Sequence, residues 1–354
     1  MVATPQMLPN TDLPQNTEAK DQFGSVDPLS SQWQRDLKNS IRDIGELCRR
    51  LQLPTKLAEF EVGKKFPCLV PESFLQRMTT GDINDPLLQQ VLPVAEEHKQ
   101  QDGFVSDPVG DLNARKSNGM LKKYHGRALL VLNGTCAIHC RYCFRREYPY
   151  AEDPKNLMDW EPTFQAIQSD PTITEVILSG GDPLMMSDDR LRKFFNRIEQ
   201  IPHVQRIRIH SRLPVVLPSR VTKELLTLLK STRLQPIFVI HANHPAELVE
   251  DCEDALHLLV KSGIPTLNQA VLLKGVNDDA ETLIELSEGC VNLGVMPYYL
   301  HQLDRVSGAG HFEVPEEKGH DLIRVMRERL PGYAVPTFVQ EIPGESSKTV
   351  LPRL

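Results

Sequence analysis

The chain has no run of about 18 apolar residues, so nothing in it reads as a membrane-spanning helix. Its opening, MVATPQMLPNTDLPQ, carries neither the basic stretch nor the apolar core of a secretion signal. Lysine and arginine together number 40 against 47 acidic residues, a net charge of −7, so the bulk basic excess typical of nucleic-acid or membrane-surface binders is missing. A disulfide framework is missing too: the 7 cysteines are an odd number, and Cys48, Cys68, Cys252 and Cys290 are scattered singly. Each lone cysteine reads as a small core residue. These absences predict a soluble, cytoplasmic protein with no membrane and no nucleic-acid partner. At 354 residues, 40% hydrophobic and 25% charged, the chain can bury a sizeable core. Its length fits two domains of ~150 residues, or one barrel-sized domain with an appendage.

Residues 1–28 are polar and rich in Pro, Gln, Asn and Asp, with too little apolar surface to offset ordering entropy, and are expected to form a flexible tail. An amphipathic pattern (Trp33, Leu37, Ile41, Ile44, Leu51) then predicts one helix, opened by Ser31 with Gln34 and ended before Pro54. Prolines break residues 65–118 into short pieces, with helical turns expected at 72–78 and 86–91. Residues 29–118 thus read as a small helical N-terminal domain.

After Lys122 the texture changes. Short β-rich runs at 128–133, 174–178, 205–210, 237–241, 267–272 and 296–301 alternate with amphipathic stretches such as 189–200, 222–229, 246–261 and 279–293. Six βα units imply parallel strands with helical crossovers, either a doubly wound sheet or a barrel short of eight strands. In both, ligands sit at the C-terminal ends of the strands. Polar residues collect there: Cys136 after the first run, Asp182 after the second, His210 and Arg212 after the third. His241 and Asn243 end the fourth, Asn268 and Gln269 lie in the fifth, and His301 and Asp304 follow the sixth.

Cys136, Cys140 and Cys143 form a CxxxCxxC motif in the loop after the first run. Chance would give this spacing about 0.003 times in a chain of this composition. Three thiolates so close bind something soft, zinc or an iron–sulfur cluster. Structural zinc wants a fourth ligand, usually from paired CxxC motifs, and the spacing of His139 does not suit that role. Three cysteines on a four-iron cluster instead leave one iron open for chemistry.

CxxxCxxC after the first strand of a six-fold βα chain, with Tyr142 just before the third cysteine, resembles the radical S-adenosylmethionine enzymes. The resemblance implies a partial (β/α)6 barrel whose [4Fe–4S] cluster holds S-adenosylmethionine and cleaves it to a 5′-deoxyadenosyl radical. Gly180, Gly181 and Asp182 stand where the family supports the methionine amino group. From Lys122 onward, CRYCFRR, ILSGGDPL, RIHSRLPVVLP, NHPAE, NQAVLLKGVND, MPYYLHQLD and PGESSKT resemble the lysine 2,3-aminomutase family more specifically. On its own GESSKT could pass for a damaged P-loop, but Pro352 follows at once and no helix could cradle a phosphate.

The second resemblance implies pyridoxal phosphate, with Lys348 forming the Schiff base and Arg127 and Lys123 holding the phosphate; the family carries arginine where Lys123 stands. It implies that Arg145 clamps the substrate carboxylate, and that Asp304 and Glu341, the latter replacing the family's aspartate, hold the distal ammonium. His241 and Gln269 match positions lining the S-adenosylmethionine pocket. The barrel would run over 119–330 and the lysine-bearing segment over 331–354. Asp279 stands at a zinc-ligand cysteine of the free-standing mutases, and the chain stops soon after Lys348, which puts their zinc site and oligomer in doubt. CRYCFRREYPYAE and the early stop are more similar to the elongation factor P β-lysylation branch, which makes (R)-β-lysine for a separate ligase. The implied reaction moves the amino group of L-lysine from C2 to C3, with an electron donor such as a flavodoxin or ferredoxin. Two other readings remain: a 2,3-aminomutase for another amino acid, and a non-catalytic metal- or RNA-binding module using Arg141, Arg145 and Arg146 as a basic patch.

Overall fold

A computed structural model describes residues 31–54 and 66–351. The tail expected over 1–28 lies outside them. Gln32–Leu354 forms one compact unit; the other unit, Met1–Ser31, falls almost wholly outside the described residues.

Among the described residues ten strands form one sheet in chain order. They are β1 (Arg115–Ser117), β2 (Met120–Leu121), β3 (Arg127–Val131), β4 (Glu175–Ser179), β5 (Arg206–His210), β6 (Gln235–Ile240), β7 (Thr266–Val271), β8 (Met296–His301), β9 (Thr337–Gln340) and β10 (Thr349–Val350). From β3 through β9 every neighbour is parallel. The edges β1, β2 and β10 are antiparallel. The architecture is the partial α/β barrel of six βα units, extended by β9 as a further parallel strand. That extra strand is reached through the helix Glu316–Arg329.

The crossover helices bury one apolar stripe each. On Asp188–Glu199, Leu191, Phe194, Phe195 and Ile198 recur at the i, i+3, i+4, i+7 spacing of a single helical face, and all four are buried. Each such side chain contributes about 1.5–3 kcal/mol by leaving water. Side chains of Ser187, Thr222 and Asp279 cap the helices they precede. Asp279 therefore has a local task, accepting from the backbone and hydroxyl of Thr282. The helix expected over 246–261 starts later, at Asp251, because His244 and Pro245 open a separate 3-10 turn.

The single helix expected from Ser31 to before Pro54 is two, Gln32–Lys38 and Ile44–Arg50. Between them the Ile41 backbone pairs with Val70, and Asp43 caps the second helix through Glu46 N. The amphipathic pattern survives because both pieces pack on the same core. The short helices Glu72–Gln76 and Pro86–Gln89 stand where turns were expected. The four lone cysteines are all buried, as core residues should be.

Candidate active site

The two-residue period of a strand sends alternate side chains to opposite faces. Along six consecutive strands one set of alternate residues lines a single cavity of ≈ 720 Å³: Arg127 and Leu129, Ile177 and Ser179, Arg208 and His210, Val239 and His241, Gln269 and Val271, Tyr299 and His301. Every candidate site residue named from the sequence lines this same cavity, from Cys136 on one loop to Lys348 near the end of the chain.

The cysteine loop is held from the N-terminal side. Glu97 accepts from Arg141 Nε and Nη2 at 2.7 and 2.6 Å, and from Arg146 Nη2 at 2.7 Å. Both guanidinium groups lie 4.9 Å from the centre of the Phe66 ring, on which His139 also stacks. His139 is bonded to Pro67 O at 2.8 Å. Arg141 is 1% exposed and Arg145 8%, and the Arg146 side chain is 12% exposed, so the three arginines are internal struts and offer no surface patch for RNA. Burial pushes the Cys136 thiol well up and the Cys143 thiol up to about 11, each with help from neighbouring sulfurs. Arg212 Nη1 donates to Cys140 Sγ at 2.6 Å and to Tyr142 Oη at 2.8 Å. The other arm of Arg212 meets Gln90 Oε1 at 2.6 Å and Glu247 Oε2 at 2.9 Å. A guanidinium beside a cysteine sulfur suits a thiolate. Among the described residues no three His, Cys, Asp or Glu side chains converge on a single-ion site. A four-iron cluster asks less, since each thiolate need only reach its own iron.

The glycines are explained by close approach. A Cβ on Gly180 would lie 2.5 Å from Asn133 O, and one on Gly181 2.4 Å from Thr135 O, so the end of β4 packs directly on the backbone that enters the cysteine loop. Asp182 spends both oxygens inside the protein, on Leu184 N, Ser211 Oγ and Arg212 N. Burial still raises its carboxyl to about 6. His241, held near 3 by burial and by Arg212, is neutral and meets Tyr142 Oη at 2.8 Å.

At the other end, β9 and β10 pair Thr349 with Gln340 and Val350 with Val339. The next position outward sets Lys348 across from Glu341, with Nζ 2.5 Å from Oε2. Burial works to raise the Glu341 carboxyl; Lys348 and Lys123 outweigh it and hold it low. Asp304 lines the cavity nearby, its carboxyl pushed up to about 7 by burial and by Glu341 against the pull of Lys348. Arg145 donates from Nε to Asp111 Oδ2 at 2.7 Å and from Nη1 to Ser179 Oγ at 3.0 Å. Arg127 makes no hydrogen bond to a described residue and lies over the Tyr124 ring, which leaves its guanidinium open to an anion. The buried Nε2 atoms of His210 and His301 have no partner among the described residues. A cavity with open cationic groups, an amino group and unpartnered nitrogens fits a polar cofactor carrying an anion.

Asp111, Gln90, Glu247 and Glu97 are among the residues that sequence reasoning did not single out. Asp111 and Gln90 come from the proline-broken segment before the barrel, where no periodicity marks them. Glu247 lay inside the NHPAE stretch without a role.

This fold and loop define a class, and residues 130–287 match the model of the Radical SAM superfamily. The chain is 42% identical over 327 residues to the L-lysine 2,3-aminomutase of Escherichia coli (strain K12), covering 92% of this chain and 95% of that one. It is 43% identical to the enzyme of that name from Haemophilus influenzae, over 90% of this chain and 95% of the other. With the Clostridium subterminale enzyme the identity is 36%, covering 90% and 77%. The chain belongs to the lysine 2,3-aminomutase family. It is therefore an isomerase, and the cofactors of this family are a [4Fe–4S] cluster, S-adenosylmethionine and pyridoxal phosphate. No helix among the described residues is long and apolar enough to cross a membrane.

Proposed function

We propose that the protein converts L-lysine to β-lysine, the R enantiomer, in the cytoplasm, and that this product supplies a ligase that modifies elongation factor P. The observation that carries this reading is that the cysteine loop and the Lys348–Glu341 pair line one cavity. Cys136, Cys140 and Cys143 hold the cluster, with the backbone at Gly180 and Gly181 and the side chains of His241 and Gln269 around S-adenosylmethionine. Arg127 takes the phosphate of pyridoxal phosphate and Lys348 its aldehyde carbon. When bound, these groups supply the hydrogen-abstracting radical and the carbon that carries the migrating nitrogen; a flavodoxin or ferredoxin supplies the electron.

The protein's own work is orientation. Arg145 receives the substrate carboxylate, as a planar guanidinium suits. Asp304 and Glu341 receive the distal ammonium, and two acids at that end reject glutamate by like-charge repulsion. Fixing both ends of an extended amino acid places one β-hydrogen against the radical carbon, and misplacement of about 1 Å costs on the order of a hundredfold in rate.

The test offers the anaerobically reconstituted protein L-lysine, L-arginine and L-glutamate in parallel, with reductant and S-adenosylmethionine. Chiral chromatography reads the product. (R)-β-lysine from lysine alone supports the proposal; β-arginine, β-glutamate or the S enantiomer as the main product overturns it.

A further inference from the structure

The resemblance gives Lys123 to the cofactor phosphate, but the side chain is already engaged. Three oxygens surround its ammonium: Val109 O at 2.8 Å, Asp111 Oδ1 at 2.7 Å and Glu341 Oε1 at 3.2 Å. Val109 O and Glu341 Oε1 accept hydrogen bonds, and Asp111 Oδ1 makes an ion-pair contact without hydrogen-bond geometry, so two protein carboxylates balance the ammonium without a phosphate. The contacts continue on both sides. Asp111 Oδ2 accepts from Arg145 Nε at 2.7 Å, and Glu341 Oε2 accepts from Lys348 Nζ at 2.5 Å. Arg145, Asp111, Lys123, Glu341 and Lys348 thus form an unbroken series of alternating sign. It runs from the group assigned to the substrate carboxylate to the lysine assigned to the cofactor. The series is mostly shielded from solvent, the side chains of Asp111, Arg145 and Glu341 being 3%, 8% and 9% exposed.

We propose that Lys123 is a positioning residue for the two charged ends of the substrate and not a ligand of the cofactor phosphate. The proposal rests on the reading of lysine as substrate. Its physical content is a balance of attractions. Asp111 is shared between Arg145 and Lys123, and Glu341 between Lys348 and Lys123. Lys123 draws both acids toward the middle of the series and so leaves Arg145 and Glu341 able to exchange a protein partner for a substrate group. Without that central charge, Asp111 closes on Arg145 and competes with the incoming carboxylate. Glu341 likewise closes on Lys348 and competes with the incoming ammonium. The phosphate falls to Arg127, which lines the same cavity and makes no hydrogen bond to a described residue.

The experiment compares wild type, Lys123→Met, Lys123→Arg and Asp111→Asn as cluster-loaded full-length proteins. Pyridoxal phosphate affinity is read by fluorescence titration, and L-lysine affinity by the change that lysine causes in the cofactor's visible band, without turnover. Lys123→Met is expected to keep pyridoxal phosphate affinity within about twofold and to weaken lysine about tenfold, the scale of one lost charged hydrogen bond. Lys123→Arg, which keeps the charge, should recover most of the lysine affinity. Asp111→Asn separates the readings if Lys123→Met fails to fold. In Asp111→Asn, Lys123 is left to Glu341 alone and Arg145 loses its protein partner, so positioning predicts altered lysine binding with pyridoxal phosphate unchanged, whereas a phosphate-binding Lys123 would be released to hold pyridoxal phosphate more tightly, with lysine unaffected. A loss of tenfold or more in pyridoxal phosphate affinity in Lys123→Met, with lysine binding intact, overturns the proposal. If wild type binds pyridoxal phosphate but never responds to lysine, the lysine reading fails, and the pyridoxal phosphate titrations still decide what Lys123 does.

Discussion

Lys348 stands across the β9–β10 hairpin from Glu341, its Nζ 2.5 Å from Oε2. Backbone register produces this contact, since Thr349 pairs with Gln340 and Val350 with Val339. A strand of two residues thus fixes Lys348 against Glu341, in a segment that reads as a loop in the sequence.

The proposed role of Lys348 predicts that borohydride reduction of the pyridoxal phosphate-loaded protein adds the cofactor's mass to the peptide containing Lys348. Lys348→Ala should show no such adduct and no turnover. Labelling of a different lysine in wild type would contradict the assignment.

The proposed role of Asp304 predicts a pH dependence of lysine binding with a definite sign. Its carboxyl is raised to about 7, so it is largely neutral at pH 6 and ionised at pH 8. Only the anion attracts an ammonium, so lysine affinity should rise from pH 6 to pH 8, and Asp304→Asn should flatten that rise. The stability effect runs the other way. The carboxyl's preference for its neutral form is fully present below the ordinary carboxylate range and is lost as pH rises through about 7. Unliganded Asp304→Asn should therefore melt above wild type at pH 8 and close to it at pH 4.

Glu247 is fully buried and balances Arg212, which reaches Cys140 Sγ. Breaking a buried pair by removing one partner leaves an uncompensated charge and costs about 3–5 kcal/mol. Urea unfolding of cluster-free Glu247→Gln should show a loss of that order. A midpoint equal to that of wild type would mean that Arg212 finds its counter-charge elsewhere.

Gly181→Ala puts a methyl group 2.4 Å from Thr135 O, next to Cys136. Backbone must move to admit it, so iron bound per chain should fall while the circular dichroism of the fold persists. Wild-type iron content in this variant would show that the cysteine loop tolerates the shift.

The barrel was legible because its parallel strands are apolar runs separated by helices with clear single faces. The expected run 296–301 coincides with β8, and 189–200 lies within one residue of its helix. β9 was not legible: Thr337–Gln340 is four residues long, between Pro336 and Pro343, and only its partners in the sheet make it a strand. The split of the first helix was hidden for the opposite reason, since Ile41 keeps the helical period while its backbone bonds to Val70. Strand-end logic found His241 and Asp304 and pointed to Arg212, His210 and His301. It could not find Asp111 or Gln90, whose meaning arises only when a segment without periodicity folds against the strand ends. Nor could it show that Lys123 and Glu341, both departures from the family's pattern, touch each other.

The most direct test of the central claim follows hydrogen. Holoenzyme is incubated anaerobically with reductant, S-adenosylmethionine and L-lysine deuterated at C3, and mass spectrometry reads both the recovered S-adenosylmethionine and the amino acid product. A lysine 2,3-aminomutase should yield β-lysine together with deuterium in the adenosyl group of S-adenosylmethionine. Cleavage of S-adenosylmethionine with no deuterium gained and no β-lysine formed would contradict the account, because the radical would then be acting on something other than the β-carbon of lysine.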